Sequence, residues 1–181
     1  QDSPSVWADR NLSAGDKTKE GIGIGDIDGD GRIDFVQGGW WFKNPGNRAD
    51  HWTAYMFAAG YDGGSYTAAV GDINGDGRPD IAVSEQHKRH ELAWYTGPSD
   101  PRQGPWEKHV LANDIGAHKL NIADMNGDGR ADLVVGLELA ELRLYVNRGG
   151  ATPKFDKMPL NTTGCHNTRV ADVNGDGKAD V

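Results

Sequence analysis

One nine-residue device occurs four times in the chain, and it constrains the structure more than any other feature. It runs Asp26-Ile27-Asp28-Gly29-Asp30-Gly31-Arg32-Ile33-Asp34 and returns from Asp72 to Asp80, Asp124 to Asp132 and Asp172 to Asp180. Oxygen ligands at positions 1, 3 and 5, a backbone carbonyl at 7 and a carboxylate at 9 can surround a hard cation, and a glycine at 6 permits the sharp turn that gathers them. The device reads as a calcium loop. Its four ligand sets are Asp26, Asp28, Asp30, the Arg32 carbonyl and Asp34; Asp72, Asn74, Asp76, the Arg78 carbonyl and Asp80; Asp124, Asn126, Asp128, the Arg130 carbonyl and Asp132; and Asp172, Asn174, Asp176, the Lys178 carbonyl and Asp180. Affinities on the order of 10⁻⁴ to 10⁻³ M are expected, as in extracellular modules. The all-Asp first loop should bind at least as tightly as the three that carry Asn.

The loops start 46, 52 and 48 residues apart, a period that points to stacked or radially arranged repeats. An EF-hand or dockerin-type loop needs an acid at position 12 and a flanking helix. Position 12 is Gln37, Val83 and Val135, and short apolar runs follow the loops: Ile33 to Val36, Ile81 to Val83, Leu133 to Val135. These are strand signals. An inner strand precedes each loop (22–25, 67–71, 119–123, 167–171), and its small residues, among them Gly23, Gly25, Ala69 and Gly71, suit close backbone approach. A third strand follows (40–43, 92–96, 142–147), then a fourth opened by Trp52, Trp106 or Phe155, an aromatic matched near the N-terminus by Trp7. Four antiparallel strands in about 50 residues make a propeller blade. The fold class is all-β.

On these residues the chain resembles the FG-GAP/VCBS repeat family, whose Asp-x-[Asp/Asn]-x-Asp-Gly-x-x-Asp hairpins also occur in integrin α-subunit propellers. The resemblance implies a β-propeller of about seven blades, of which about three and a half to four are expected here. Their expected bounds are an outer strand at 5–13, blades at about 20–58, 66–112 and 118–161, and the start of a fourth at about 166–181. A strand broken off at Val181 leaves an unpaired edge, so a C-terminal truncation is expected, with the remaining blades in a longer chain.

Composition fits this reading. The net charge is −8, and the loops hold thirteen of the 27 acidic residues, four in the first and three in each of the others. The acidity is thus a metal signature. Neither a basic stripe for nucleic acid nor an apolar run of membrane-spanning length is present. The single Cys165 excludes a disulfide within the chain, and Gln at position 1 suits a processed, secreted protein.

Function is expected at the end opposite the calcium loops. The turns at 37–41, 85–91 and 138–141 lie there, as do Glu20, Tyr66, His118 and His166, each six residues before a first Asp. The loop Glu85-Gln86-His87-Lys88-Arg89-His90-Glu91 is either a solvated polar loop or a site in which Lys88 or Arg89 neutralises a uronate carboxylate while His87 or His90 moves a proton. His118 and His166 have two readings as well: hydrogen bonding between blades, or catalysis with Tyr66. The segment from Trp94-Tyr95 through Trp106 to Gly116-Ala117-His118-Lys119-Leu120 is similar to fungal aldos-2-ulose dehydratase, a sugar-eliminating propeller. That resemblance implies His118 as the proton-abstracting base. Trp40 and Glu20 are further candidates for substrate contact.

Three functions follow. The favoured one is a secreted, calcium-binding propeller that recognises or acts on extracellular carbohydrate. A polysaccharide lyase or sugar dehydratase working by β-elimination is the alternative, and a protein-adhesion propeller the second. Hydrolysis by paired carboxylates would draw on Glu20, Glu85 and Glu138, but depends on their separation.

Overall fold

A computed structural model describes residues 21–47, 50–59, 65–85, 90–137, 141–162, 165 and 167–181, with the side chains of 65, 66 and 85 left aside. Among them there is no helix. Twelve strands form three separate sheets: β1 (Ile22–Gly25), β2 (Asp34–Gln37), β3 (Trp40–Lys43) and β4 (Thr53–Met56); β5 (Ser65–Gly71), β6 (Asp80–Glu85), β7 (Glu91–Thr96) and β8 (Glu107–Ala112); β9 (Lys119–Ala123), β10 (Asp132–Gly136), β11 (Leu142–Asn147) and β12 (Phe155–Asn161). Each sheet is antiparallel and ordered as in the chain. These are blades of the β-propeller type.

The blades bury both faces against each other. In β6, Ile81 and Val83 pack with Val36, Trp41 and Phe57 of the first blade, while Ala82 between them packs with Leu120, Leu133 and Val135 of the third. A strand covered on both sides reads as a continuous apolar run, and this is why Leu133-Val134-Val135 shows no alternation. Val134 turns the other way, onto Leu142, Leu144 and Val146, with Val170 of the fourth repeat against them. Polar groups cross the same seams. Trp41 Nε1 donates to Pro101 O (2.9 Å), Trp106 N to Phe57 O (2.8 Å), Ala117 N to Ser84 Oγ (2.9 Å) and Leu120 N to Thr67 Oγ1 (3.1 Å). Trp106 is therefore an interblade residue, 5 % exposed.

Strands β1, β5 and β9 lie side by side as the first strands of their blades. A Cβ on Gly25 would fall 2.6 Å from Val70 Cγ1, and one on Gly71 would fall 2.8 Å from Ile122 Cγ2. Crowding along this line selects the small residues. The fourth repeat departs from expectation: in place of an inner strand at 167–171 there is a single bridge, Ala171 to Asp180, with N···O distances of 3.2 and 2.8 Å.

Trp7 and the outer strand at 5–13, Glu20, Tyr61, His87, Lys88, Arg89, Glu138 and His166 lie outside the described residues.

Candidate metal centre

All four loops share one backbone conformation, written by two glycines and two carboxylates. The position-6 glycines have φ of 84°, 83°, 81° and 83°, and those at position 4, a place with no assigned role in the sequence reading, have 73°, 77°, 77° and 77°. Both lie in the left-handed region that side chains other than glycine resist. The position-1 carboxylate folds the loop around itself. Asp72 accepts from the N–H groups of Gly75 (2.8 Å), Asp76 (3.1 Å) and Gly77 (2.8 Å), and Asp124 and Asp172 repeat the arrangement. Asp26 makes the last two of these contacts. The Gly129 N–H, first among these donors, holds the Asp124 carboxyl below the usual range.

Position 9 does more than face the loop. Asp34, Asp80 and Asp132 are 0–1 % exposed, because each bridges the start of its loop to the end of the third strand. Oδ2 accepts from Ile27 N (3.0 Å), Ile73 N (2.9 Å) and Met125 N (3.0 Å), and Oδ1 from Asn44 N (2.7 Å), Gly97 N (2.8 Å) and Asn147 N (2.7 Å). Burial pushes all three carboxyls up, Asp80 to about 6, even though the backbone donors favour the charged form. An ionised carboxylate in this place gains from a cation beside it.

The position-7 arginines brace the same joint. Arg32, Arg78 and Arg130 donate Nε–H to the carbonyls of Asn44, Gly97 and Asn147 at 3.0, 2.9 and 3.0 Å, and each pairs through its guanidinium with the position-5 Asp. Asn44 and Asn147 cap the joint, their Oδ1 atoms accepting from Gly46 N and Gly149 N. In the sequence Asn147 ends the third strand at 142–147, and Asn44 carries no assigned chemistry. Aligning Asn44-Pro45-Gly46 with Asn147-Arg148-Gly149 would have exposed the shared role.

Oxygens of Asp26, Asp28 and Asp34 lie within 4.8 Å of one another, and Asp28 Oδ1 is buried without a hydrogen-bond partner. A buried carboxylate oxygen left unpaired is costly, and an all-oxygen donor set suits a hard cation. The residues fit calcium. In the second to fourth loops an Asn takes position 3, and its Oδ1 accepts from the position-5 N–H at 3.0, 2.9 and 2.8 Å. The loops stand together at one end, with clefts of about 410 Å³ between the second and third and about 600 Å³ between the third and fourth.

The first loop has a cation of its own. The Lys43 ammonium bridges Asp28 and Asp30, and the residues just before the corresponding joints of the second and third blades are Thr96 and Val146. This tethered charge competes for the carboxylates that would make the all-Asp loop the tightest. Lys43→Met is expected to raise the calcium affinity of the first loop about tenfold, read from the Gly31 amide in a titration followed by NMR. An unchanged midpoint would show that Lys43 swings away at no cost.

At the opposite end the described candidates are few. His118 is half-buried, its N–H bonded to Gly136 O at 2.9 Å. His90 is exposed, with φ of 50°, and its carbonyl accepts from Ile115 N at 2.9 Å. That bond brings the chain at His90 within three residues of His118. Trp40 is half-buried, whereas its neighbour Trp41 is wholly buried. Tyr66 falls at the register shift between Ser65 and Thr67, where a bulge redirects the chain.

Sheets of four antiparallel strands, each with an Asp-rich hairpin between its first two strands, define a propeller-blade repeat protein. The chain belongs to the FG-GAP-like repeat family, whose model matches residues 26–83 and 72–135. The matches begin on Asp26 and Asp72, the first ligands of two loops, and each runs on into the second strand of the next blade. No curated protein matches the chain. The family match says nothing of the likeness to aldos-2-ulose dehydratase.

Proposed function

We propose that the chain is a secreted, calcium-binding propeller segment in which the ions lock each blade's first hairpin to its third strand. The observation that supports this most is the convergence of Asp26, Asp28 and Asp34 around a buried, unpartnered carboxylate oxygen. Calcium would be held by the side chains at positions 1, 3, 5 and 9 and the carbonyl at 7. It would supply there the positive charge that three or four crowded carboxylates lack. The amides of Gly31, Gly77, Gly129 and Gly177 should shift on titration with calcium. No shift up to about 10 mM, ten times the weakest affinity expected of such loops, would refute the reading.

The end away from the loops is then free for recognition, and carbohydrate is the partner we favour. His118 supports this, since it stands half-buried beside β10 and close in the chain fold to His90. If the site eliminates across a uronate or ulose, His118 is the base that takes the proton α to the carbonyl group. His118→Ala should then abolish the unsaturated product, followed by its ultraviolet absorbance, and leave the calcium-dependent melting curve in place. Loss of stability with no activity to lose would make His118 an interblade residue.

A further inference from the structure

The first strands of the blades, together with residues 169–170, line a cleft of about 500 Å³. Ile22, Ile24, Ala69 and Asn121 contribute to its walls, and among the described lining residues there is no carboxylate. Two cations stand in it, Lys119 from β9 and Arg169 from the fourth repeat. Among the other described cations, Arg32, Lys43, Arg78, Arg102, Lys108, Arg130, Arg143 and Arg148 each pair with an acid, and Lys154, Lys157 and Lys178, which do not, are exposed. Lys119 has the opposite environment. Burial, and then repulsion from Arg169, pull its ammonium below the usual lysine range. Arg169 is exposed and spends one N–H on Thr168 O (3.1 Å), and no other hydrogen bond of its guanidinium is found among the described residues.

From this arrangement we infer an oxyanion site in the cleft, in which Lys119 and Arg169 together bind a carboxylate or sulfate group of a small ligand. Arg169 supplies the planar fork that matches such a group, Lys119 a point charge within a partly desolvated wall. The bound anion relieves the repulsion between the two cations, so ligand and site stabilise each other. Asn121 is anchored beside them, its Nδ2 bonded to Thr168 Oγ1 at 2.6 Å. The cleft asks nothing of the calcium loops, and its charge would make an acidic sugar the carbohydrate best suited to this part of the molecule.

The test uses the full calcium-loaded chain and three probes at constant ionic strength: sulfate, D-glucuronate and D-glucose. Sulfate and glucuronate should raise the Tm saturably, and calorimetry should show each of Lys119→Met and Arg169→Gln weakening them about tenfold. The general salting effect of sulfate is common to all variants and cancels. Without ligand, both variants should melt at or above the wild-type temperature, because a repelling charge has gone. The inference is overturned if the anions protect wild type and variants equally, if neither anion binds, or if Lys119→Met lowers the ligand-free Tm. Binding of glucose and glucuronate alike, indifferent to both substitutions, would defeat the oxyanion site while leaving carbohydrate recognition standing.

Discussion

Removal of calcium is expected to lower the Tm of this chain by more than about 10 °C. At 10 mM free calcium, a site with an affinity of 10⁻⁴ to 10⁻³ M contributes about 1.4–2.7 kcal/mol to the folded state. Four such sites approach the whole stability of an ordinary domain, about 5–15 kcal/mol. One kcal/mol moves the Tm of a chain this long by about 2–4 °C. The apo first loop is also self-opposing, since Asp26, Asp28 and Asp34 meet within 4.8 Å. Melting in excess chelator and in excess calcium measures the difference, and coincident curves after verified metal removal would show the loops to be structural hairpins alone.

Asp80→Ala is expected to cost about 3–5 kcal/mol even in chelator, because it strands the buried N–H groups of Ile73 and Gly97 and the half-buried one of Asn74. Asp76→Ala should behave otherwise. Asp76 is exposed, so its loss should be nearly silent without calcium and felt with it. Urea unfolding of both variants in both conditions separates the two roles, and equal losses in chelator would contradict the division. Acid adds a second signature. Burial raises the Asp80 carboxyl from 3.8 to about 6, so in the metal-free chain the folded state binds the extra proton between those values. Its contribution to stability therefore falls as pH rises from about 4 to 6. Calcium needs the ionised form and should reverse the trend. Asp80→Asn should remove this component of the pH dependence.

The blade architecture was legible because its determinants are local and repeated. The loop pattern marks where β1 and β2, β5 and β6, and β9 and β10 turn back on each other, and the apolar runs Ile81 to Val83 and Leu133 to Val135 announce strands buried on both faces. The small residues of the inner strands were legible for the same reason. What escaped the sequence was long-range. Asp34, Asp80 and Asp132 read as ligands, whereas the third-strand ends that donate to them lie 10, 17 and 15 residues away and share no single spacing. Lys43 reads as a strand residue, and only the hairpin geometry puts its ammonium on Asp28 and Asp30. Lys119 and Arg169 are 50 positions apart and meet only because neighbouring blades share one cleft. Strand alternation turns one of the neighbours Trp40 and Trp41 inward without saying which, and the seam against Pro101 decides for Trp41.

Calcium stoichiometry tests the account most directly. Equilibrium dialysis at pH 7 over about 10⁻⁵ to 10⁻² M calcium, spanning the range expected for such loops, should reach four ions per chain. Asp72→Ala, Asp124→Ala and Asp172→Ala should each remove one. Saturation at zero ions over that range, or a count unchanged by these substitutions, would contradict the assignment of the loops as calcium sites.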